Sequence, residues 1–176
     1  MTHSADQAEI AEQARRFYAE QLVKGLPAMV NSLVEDARQL LGKPSEHARL
    51  VCRRELVNEL NKGAQVWHKT MVNGLRDALF ASSSRSRPAD LGQSSQPLTL
   101  VEDDVIEREI LTSRLALAVM DRAAAEFTDL RARIAMLERR EELDAHDMLR
   151  AHVLSRIVVD AWRTAGCSLD SWREIQ

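Results

Sequence analysis

Six glycines and four prolines in 176 residues leave long stretches of this chain with nothing to stop a helix. An average chain holds roughly 12% of these two residues, and here the share is about half that. A sandwich or barrel needs a tight turn every ten or so residues, and Gly and Pro are the usual means of making one. Leu and Ala supply 45 residues against 25 for Val, Ile and Thr, so the scarcity of breakers is matched by residues that favour helix. The expectation is an all-α protein: an elongated bundle of about five to six helices, two of them long.

The breakers mark where those helices are expected to end. Residues 5–24 carry a loose amphipathic pattern through Ile10, Ala14 and Phe17, and Gly25-Leu26-Pro27 is expected to interrupt it. Proline is tolerated at the first helical position, where its missing N–H would be unpaired anyway. Pro27 is therefore placed at the start of a second helix with the stripe Met29, Val30, Leu33, Val34, Ala37, Leu40 and Leu41. Gly42-Lys43-Pro44 ends that helix in the usual order of a glycine followed by proline. Ser45 is expected to cap the next helix, running to Phe80 on an alternation of threes and fours: Val57, Leu60, Ala64, Trp67, Met71, Gly74 and Ala78. The small residues at 64 and 74 predict close approach by a neighbouring helix.

Residues 81–97 read as a flexible Ser/Pro linker, since such a stretch cannot bury enough apolar surface to offset its ordering entropy. It divides an N-terminal helical segment, residues 1–80, from a C-terminal helical hairpin, residues 98–176, expected to pack on it. The hairpin begins with a rod from Asp103 to Leu143, near 60 Å long at 1.5 Å per residue, with Ile106, Ile110, Ser113, Leu117, Met120, Ala124 and Phe127 inward. A return helix follows over residues 145–165, closed by Gly166, and Ser168 opens a last helix that is left short at Gln176. That short end is the pattern of a chain continued in a longer polypeptide.

Compartment and charge narrow the class of protein. Cys52 and Cys167 are the two cysteines, without the close, even spacing of a disulfide framework. No basic region followed by an apolar run opens the chain, and no run approaches the roughly 18 apolar residues of a membrane span. A cytoplasmic chain without membrane insertion is expected. Residues 1–99 carry a net charge of +2 and residues 100–176 one of −5. Neither has the concentrated basic face that phosphate-backbone binding requires, so nucleic acid is not an expected partner.

Two clusters could carry function. Glu102, Asp103, Asp104 and Glu107 could hold a hard cation, but acids in a first helical turn are also favoured by the dipole there, by about 0.3–1 kcal/mol each. With no glycine-bearing loop to wrap an ion, the second reading is stronger, and as an interaction surface the cluster would steer a basic partner. Arg53, Arg54, Trp67 and His68 could line a cleft between helices and take an anionic or apolar ligand. His146 and His152 stand six apart, whereas helical zinc pairs use four. Neither a metal nor a cofactor is expected. Trp67, Trp162 and Trp172 read as core anchors.

Leu26-Pro27 with its following stripe, the run Leu98-Thr99-Leu100-Val101-Glu102-Asp103-Asp104, the stretch from Glu107 to Leu117, and Leu130-Arg131-Ala132-Arg133-Ile134-Ala135-Met136-Leu137 together resemble one family. It is a proteobacterial family of unknown function, domain family sixteen-thirty-one, and the resemblance is to its N-terminal part over residues 20–176. Members are often loosely labelled thymidine phosphorylase; the phosphate-cradling spacings Gly-x-x-x-x-Gly-Lys-Ser/Thr and Gly-x-Gly-x-x-Gly are absent, so the residues give that label no support. Family members often carry an Asn-Pro turn before the return helix, where this chain has Arg140-Glu141-Glu142-Leu143-Asp144-Ala145-His146. The resemblance implies a signalling context, because long members carry a cyclic-dinucleotide module elsewhere, and it supplies no catalytic residues. The expected function is a non-catalytic helical interaction or scaffold module of a larger bacterial regulatory protein, binding a protein partner or a second copy. The alternative is a small-molecule sensor, cyclic dinucleotides being one candidate ligand.

Overall fold

The computed structural model describes residues 2–84 and 103–174. Among them run five α-helices and no strand: α1 (Thr2–Leu41), α2 (His47–Ser84), α3 (Asp103–Leu137), α4 (Ala151–Thr164) and α5 (Leu169–Arg173). The all-α expectation holds, with three long helices rather than two.

The expected break at Pro27 does not occur, and α1 passes straight through it. A proline in a helix interior removes one hydrogen bond and costs about 3 kcal/mol, so burial on either side must offset it. Ala19, Leu26, Val30 and Ala37 are all buried. Their spacing of seven, four and seven keeps one face in phase across the proline, and a break would lose that phase. Ile10 and Phe17, expected inward, are exposed; Ala11 and Arg15 are buried in their place. The helix ends at Leu41 before Gly42-Lys43-Pro44 as expected. Ser45 does not cap α2: its hydroxyl is buried without a hydrogen-bond partner, and the helix begins at His47. Of the linker expected over 81–97, Ala81–Ser84 continue α2 and the rest lies outside the described residues.

The straight 60 Å rod is corrected twice. Ala123 has non-helical angles (φ −137°, ψ 27°), which kink α3, and the helix stops at Leu137 rather than Leu143. Its end is a Schellman motif: Arg140 N–H donates to the Ala135 carbonyl at 2.9 Å and Arg139 N–H to Met136 at 3.1 Å. Arg139 takes the left-handed position with φ 56°, a place usually given to glycine. The return helix accordingly starts at Ala151, not Ala145, after a loop of turns over 138–150. At the far end of α4 the same motif forms with Gly166 (φ 76°) in the left-handed position, as the sequence indicated: Cys167 N–H donates to Trp162 at 3.2 Å and Gly166 N–H to Arg163 at 2.9 Å. Ser168 then caps α5, accepting from Ser171 N–H at 3.1 Å.

The chain forms two compact units. One comprises Met1–Phe17 and Arg76–Arg156; its buried residues include Ala11, Leu111, Ile134, Leu143, Met148 and Leu149. The other comprises Tyr18–Leu75 and Ile157–Gln176, and its core holds Leu56, Leu60, Met71, Val159 and the three tryptophans. Trp162 stands edge-on to Trp67 at 5.1 Å and to Trp172 at 5.2 Å, the arrangement ring quadrupoles favour. The α2 seam is inward as expected, and Gly74 does admit a close neighbour, as does Gly63, which the spacing did not single out. A methyl group on Gly74 would lie 2.7 Å from Ile157 Cγ2, and one on Gly63 would lie 2.8 Å from the Ala165 carbonyl oxygen.

Candidate functional site

The most heavily charged buried point among the described residues was not legible in the sequence. Arg15, 4% exposed, donates from Nη2 and Nε to Asp147 Oδ2 at 2.8 and 3.2 Å and from Nη1 to Glu138 Oε1. Burial alone would lower the arginine pKa, but the hydrogen bonds and charges of Glu138 and Asp147 outweigh it and raise it. The guanidinium is thus held cationic between two carboxylates. Asp147 has a second task, accepting from Leu149 N–H at 2.9 Å through Oδ1, which fixes the turn leading into α4. Ser82 donates to the Ala78 carbonyl at 2.8 Å and accepts from Met148 N–H at 3.3 Å, tying the same loop to α2. Arg15, Ser82, Glu138 and Asp147 line a crevice of about 10 Å³ with Arg140, Asp144 and His146, far below the roughly 300–1,000 Å³ of small-molecule sites.

A serine, a histidine and two aspartates around one crevice invite a hydrolytic reading, and the hydrogen bonds argue against it. The Ser82 proton is committed to a backbone carbonyl. Asp144 Oδ1 accepts from the backbone N–H of His146 at 2.8 Å, and no hydrogen bond joins the His146 ring to Ser82 among the described residues. A nucleophile without its base is not activated. The crevice is the visible edge of a structural clasp. A neighbouring groove of about 150 Å³, lined by Arg131, Glu142, Leu143 and Arg150, is spoken for in the same way. Arg150 donates to the carbonyls of Leu143 and Asp144 and to Glu142 Oε1, and Arg131 donates to the Phe127 carbonyl.

The four residues expected to line a ligand cleft do not converge. Arg53 and Trp67 stand 14 residues apart on α2, about 21 Å along the axis. Arg53 is buried, and its Nη1 donates to the carbonyls of Leu40 and Lys43 at 2.9 and 3.2 Å, while its Nε lies 3.6 Å from Glu174 Oε2. It closes the C-terminal end of α1, whose last carbonyls have no partner within the helix. Arg54 is exposed. Trp67 belongs to the aromatic row and donates from Nε1 to the Val158 carbonyl at 3.2 Å. His68 is half-buried, with Nε2 lacking a partner.

In the acidic cluster, Glu102 lies outside the described residues, Asp103 opens α3, Asp104 is exposed and Glu107 half-buried. No group of three or more metal-ligating side chains occurs among the described residues. The stripe beside the cluster was expected inward, yet Ile106, Ile110 and Leu117 are 49%, 47% and 65% exposed. α3 buries Leu111 and Thr112 instead, about half a turn's rotation away from the expected face. No helix among the described residues is long and apolar enough to cross a membrane.

No curated protein and no solved structure matches the chain. A family model does, over residues 6–174, under the description "Protein of unknown function (DUF1631) N-terminal domain". That span takes in the Arg15 clasp and all five helices but for the first four residues of α1, and with it this all-α chain belongs to the DUF1631 family as an N-terminal domain.

Proposed function

We propose that this domain is a non-catalytic helical interaction module of a larger bacterial regulatory protein, and that it works by helix-on-helix contact through the outer face of α3. The observation that carries this reading is the row Ile106, Ile110 and Leu117, each about half exposed or more, along three turns of one helix. Single exposed apolar residues are ordinary, whereas a continuous row marks a contact surface. The polar groups support the same reading: Arg15, Arg53, Arg131, Arg150 and Ser82 are engaged in holding helices and loops together. Cys52 and Cys167 are free thiols, in keeping with a cytoplasmic setting.

In-cell photo-crosslinking tests the reading. A photoreactive amino acid at Leu117 is expected to give discrete adducts in the native host, while one at the exposed Arg133, farther along the same helix, gives none. Equal or absent adducts at both positions would overturn it.

A further inference from the structure

We propose that α3 is hinged at Ala123 and that its bend is set from α1, through the contact of Arg15 with Glu138. Helix kinks are ordinarily written into the sequence by proline, by glycine or serine, or made by an inserted group. Residues 121–126 read Asp-Arg-Ala-Ala-Ala-Glu, which holds no such breaker and three copies of the residue with the highest helix propensity. By local preference this segment continues as a straight helix. The non-helical angles at Ala123 are therefore imposed by what α3 packs against on either side of it.

The two sides are held separately. The first arm, residues 103–122, buries Leu111 and Thr112, and its Glu109 accepts from Arg156 of α4 at 3.4 Å. The second arm, residues 124–137, buries Ile134 and Ala135, and Glu138, directly after it, accepts from Arg15 of α1. The arms turn different faces inward. Leu117 and Ala135 stand 18 residues, about five full turns, apart and would share one line of a straight helix, yet Leu117 is 65% exposed and Ala135 5%. Between the arms Asp121, Arg122, Ala124, Ala125 and Glu126 are all exposed, so little packing resists movement at the hinge itself. All of these residues, with Arg15, belong to one compact unit.

The tie through Glu138 is the stronger of the two. Arg15 and Glu138 are 4% and 11% exposed, against 44% and 43% for Arg156 and Glu109. An exposed pair contributes little, whereas losing one partner of a buried pair is severe. Asp147 holds the same guanidinium from the loop side, so Arg15 presents a fixed position to the end of the second arm. A shift of the first four turns of α1 then carries Glu138 with it and changes the bend.

Double electron–electron resonance on the full chain reads the bend, with spin-labelled non-canonical residues at the exposed Ala118 and Met136. These positions, 18 residues apart, would lie about 27 Å from each other on one line of a straight helix. The wild type is expected to give a single distance displaced from that value. Glu138→Ala is expected to raise the population near about 27 Å by about tenfold or more, and Arg15→Met to do the same, with thermal melts to confirm folding. Glu109→Ala, which removes the exposed tie, leaves the distribution unchanged. A Glu138→Ala distribution identical to the wild type, or a shift as large in Glu109→Ala, overturns control from α1. A wild-type distance of about 27 Å overturns the hinge.

Discussion

Arg15 and Asp147 stand 132 residues apart in sequence and meet at 2.8 Å with both side chains 4% exposed. A charge placed this far from water is tolerated only with partners that satisfy it. The clasp therefore contributes less to stability than its contacts suggest, while losing one member is severe. Arg15→Met leaves the buried Asp147 without a counter-charge and Glu138 with only Arg140, at 4.0 Å, and a loss of about 3–5 kcal/mol is expected in urea denaturation. A loss under about 1 kcal/mol would show that water reaches the site.

The glycines of α1 and α2 respond in opposite directions. Gly25 has nothing within 4 Å of an added methyl group, and Gly25→Ala is expected to stabilise by up to about 1 kcal/mol through helix propensity alone. At Gly63 the same methyl group meets a backbone oxygen at 2.8 Å and the Cys167 sulfur at 3.2 Å. Gly63→Ala gains the same propensity and loses more to displacement of the turn after α4, so its melting temperature is expected to fall. Melts of the two variants side by side check the contrast.

Trp162 is fully buried between two other indoles, and its Nε1 donates to the Ser168 carbonyl at 2.8 Å. Trp162→Phe keeps most of the ring and leaves that carbonyl without its donor, for an expected cost of about 1–3 kcal/mol. Trp162→Ala opens a cavity as well and is expected to cost about 3–5 kcal/mol. Chemical denaturation should rank them in that order.

Cys167 is buried against α2, and burial, with a smaller contribution from Glu59, pushes its thiol up from 9.0 to about 11. The folded state holds the proton more tightly than the unfolded chain. The stabilising contribution is therefore complete below pH 9 and lost as pH rises through about 11, amounting to about 2–3 kcal/mol at that end. Stability measured across this range should fall more steeply for the wild type than for Cys167→Ala. Near neutral pH a thiol reagent should modify the half-buried Cys52 first and Cys167 only as the chain opens.

What could be read from the sequence was helix content and the helix ends that carry a glycine signal. Gly42 and Gly166 mark their positions by chemistry, since a left-handed or terminating residue is commonly glycine. Arg139 adopts the same conformation without that signal, which is why α3 was drawn six residues too long. Pro27 misled for the opposite reason: its local preference to start a helix was overridden by the buried face of Leu26 and Val30. The outer face of α3 was found as an apolar row and assigned to the core, because periodicity identifies a stripe but not what covers it. The Arg15 clasp joins residues more than a hundred positions apart, and no spacing rule in a single sequence brings those together.

The face of α3 as a contact surface is tested most directly by hydrogen exchange followed by mass spectrometry on the chain alone and in extract of its native host. Amides over residues 104–121 should exchange several-fold more slowly in the extract, because a bound partner suppresses local opening there. Those over 124–136 should not change, and Leu117→Asp should abolish the difference. Exchange over 104–121 that is equal in the two conditions for the wild type would contradict contact through this face.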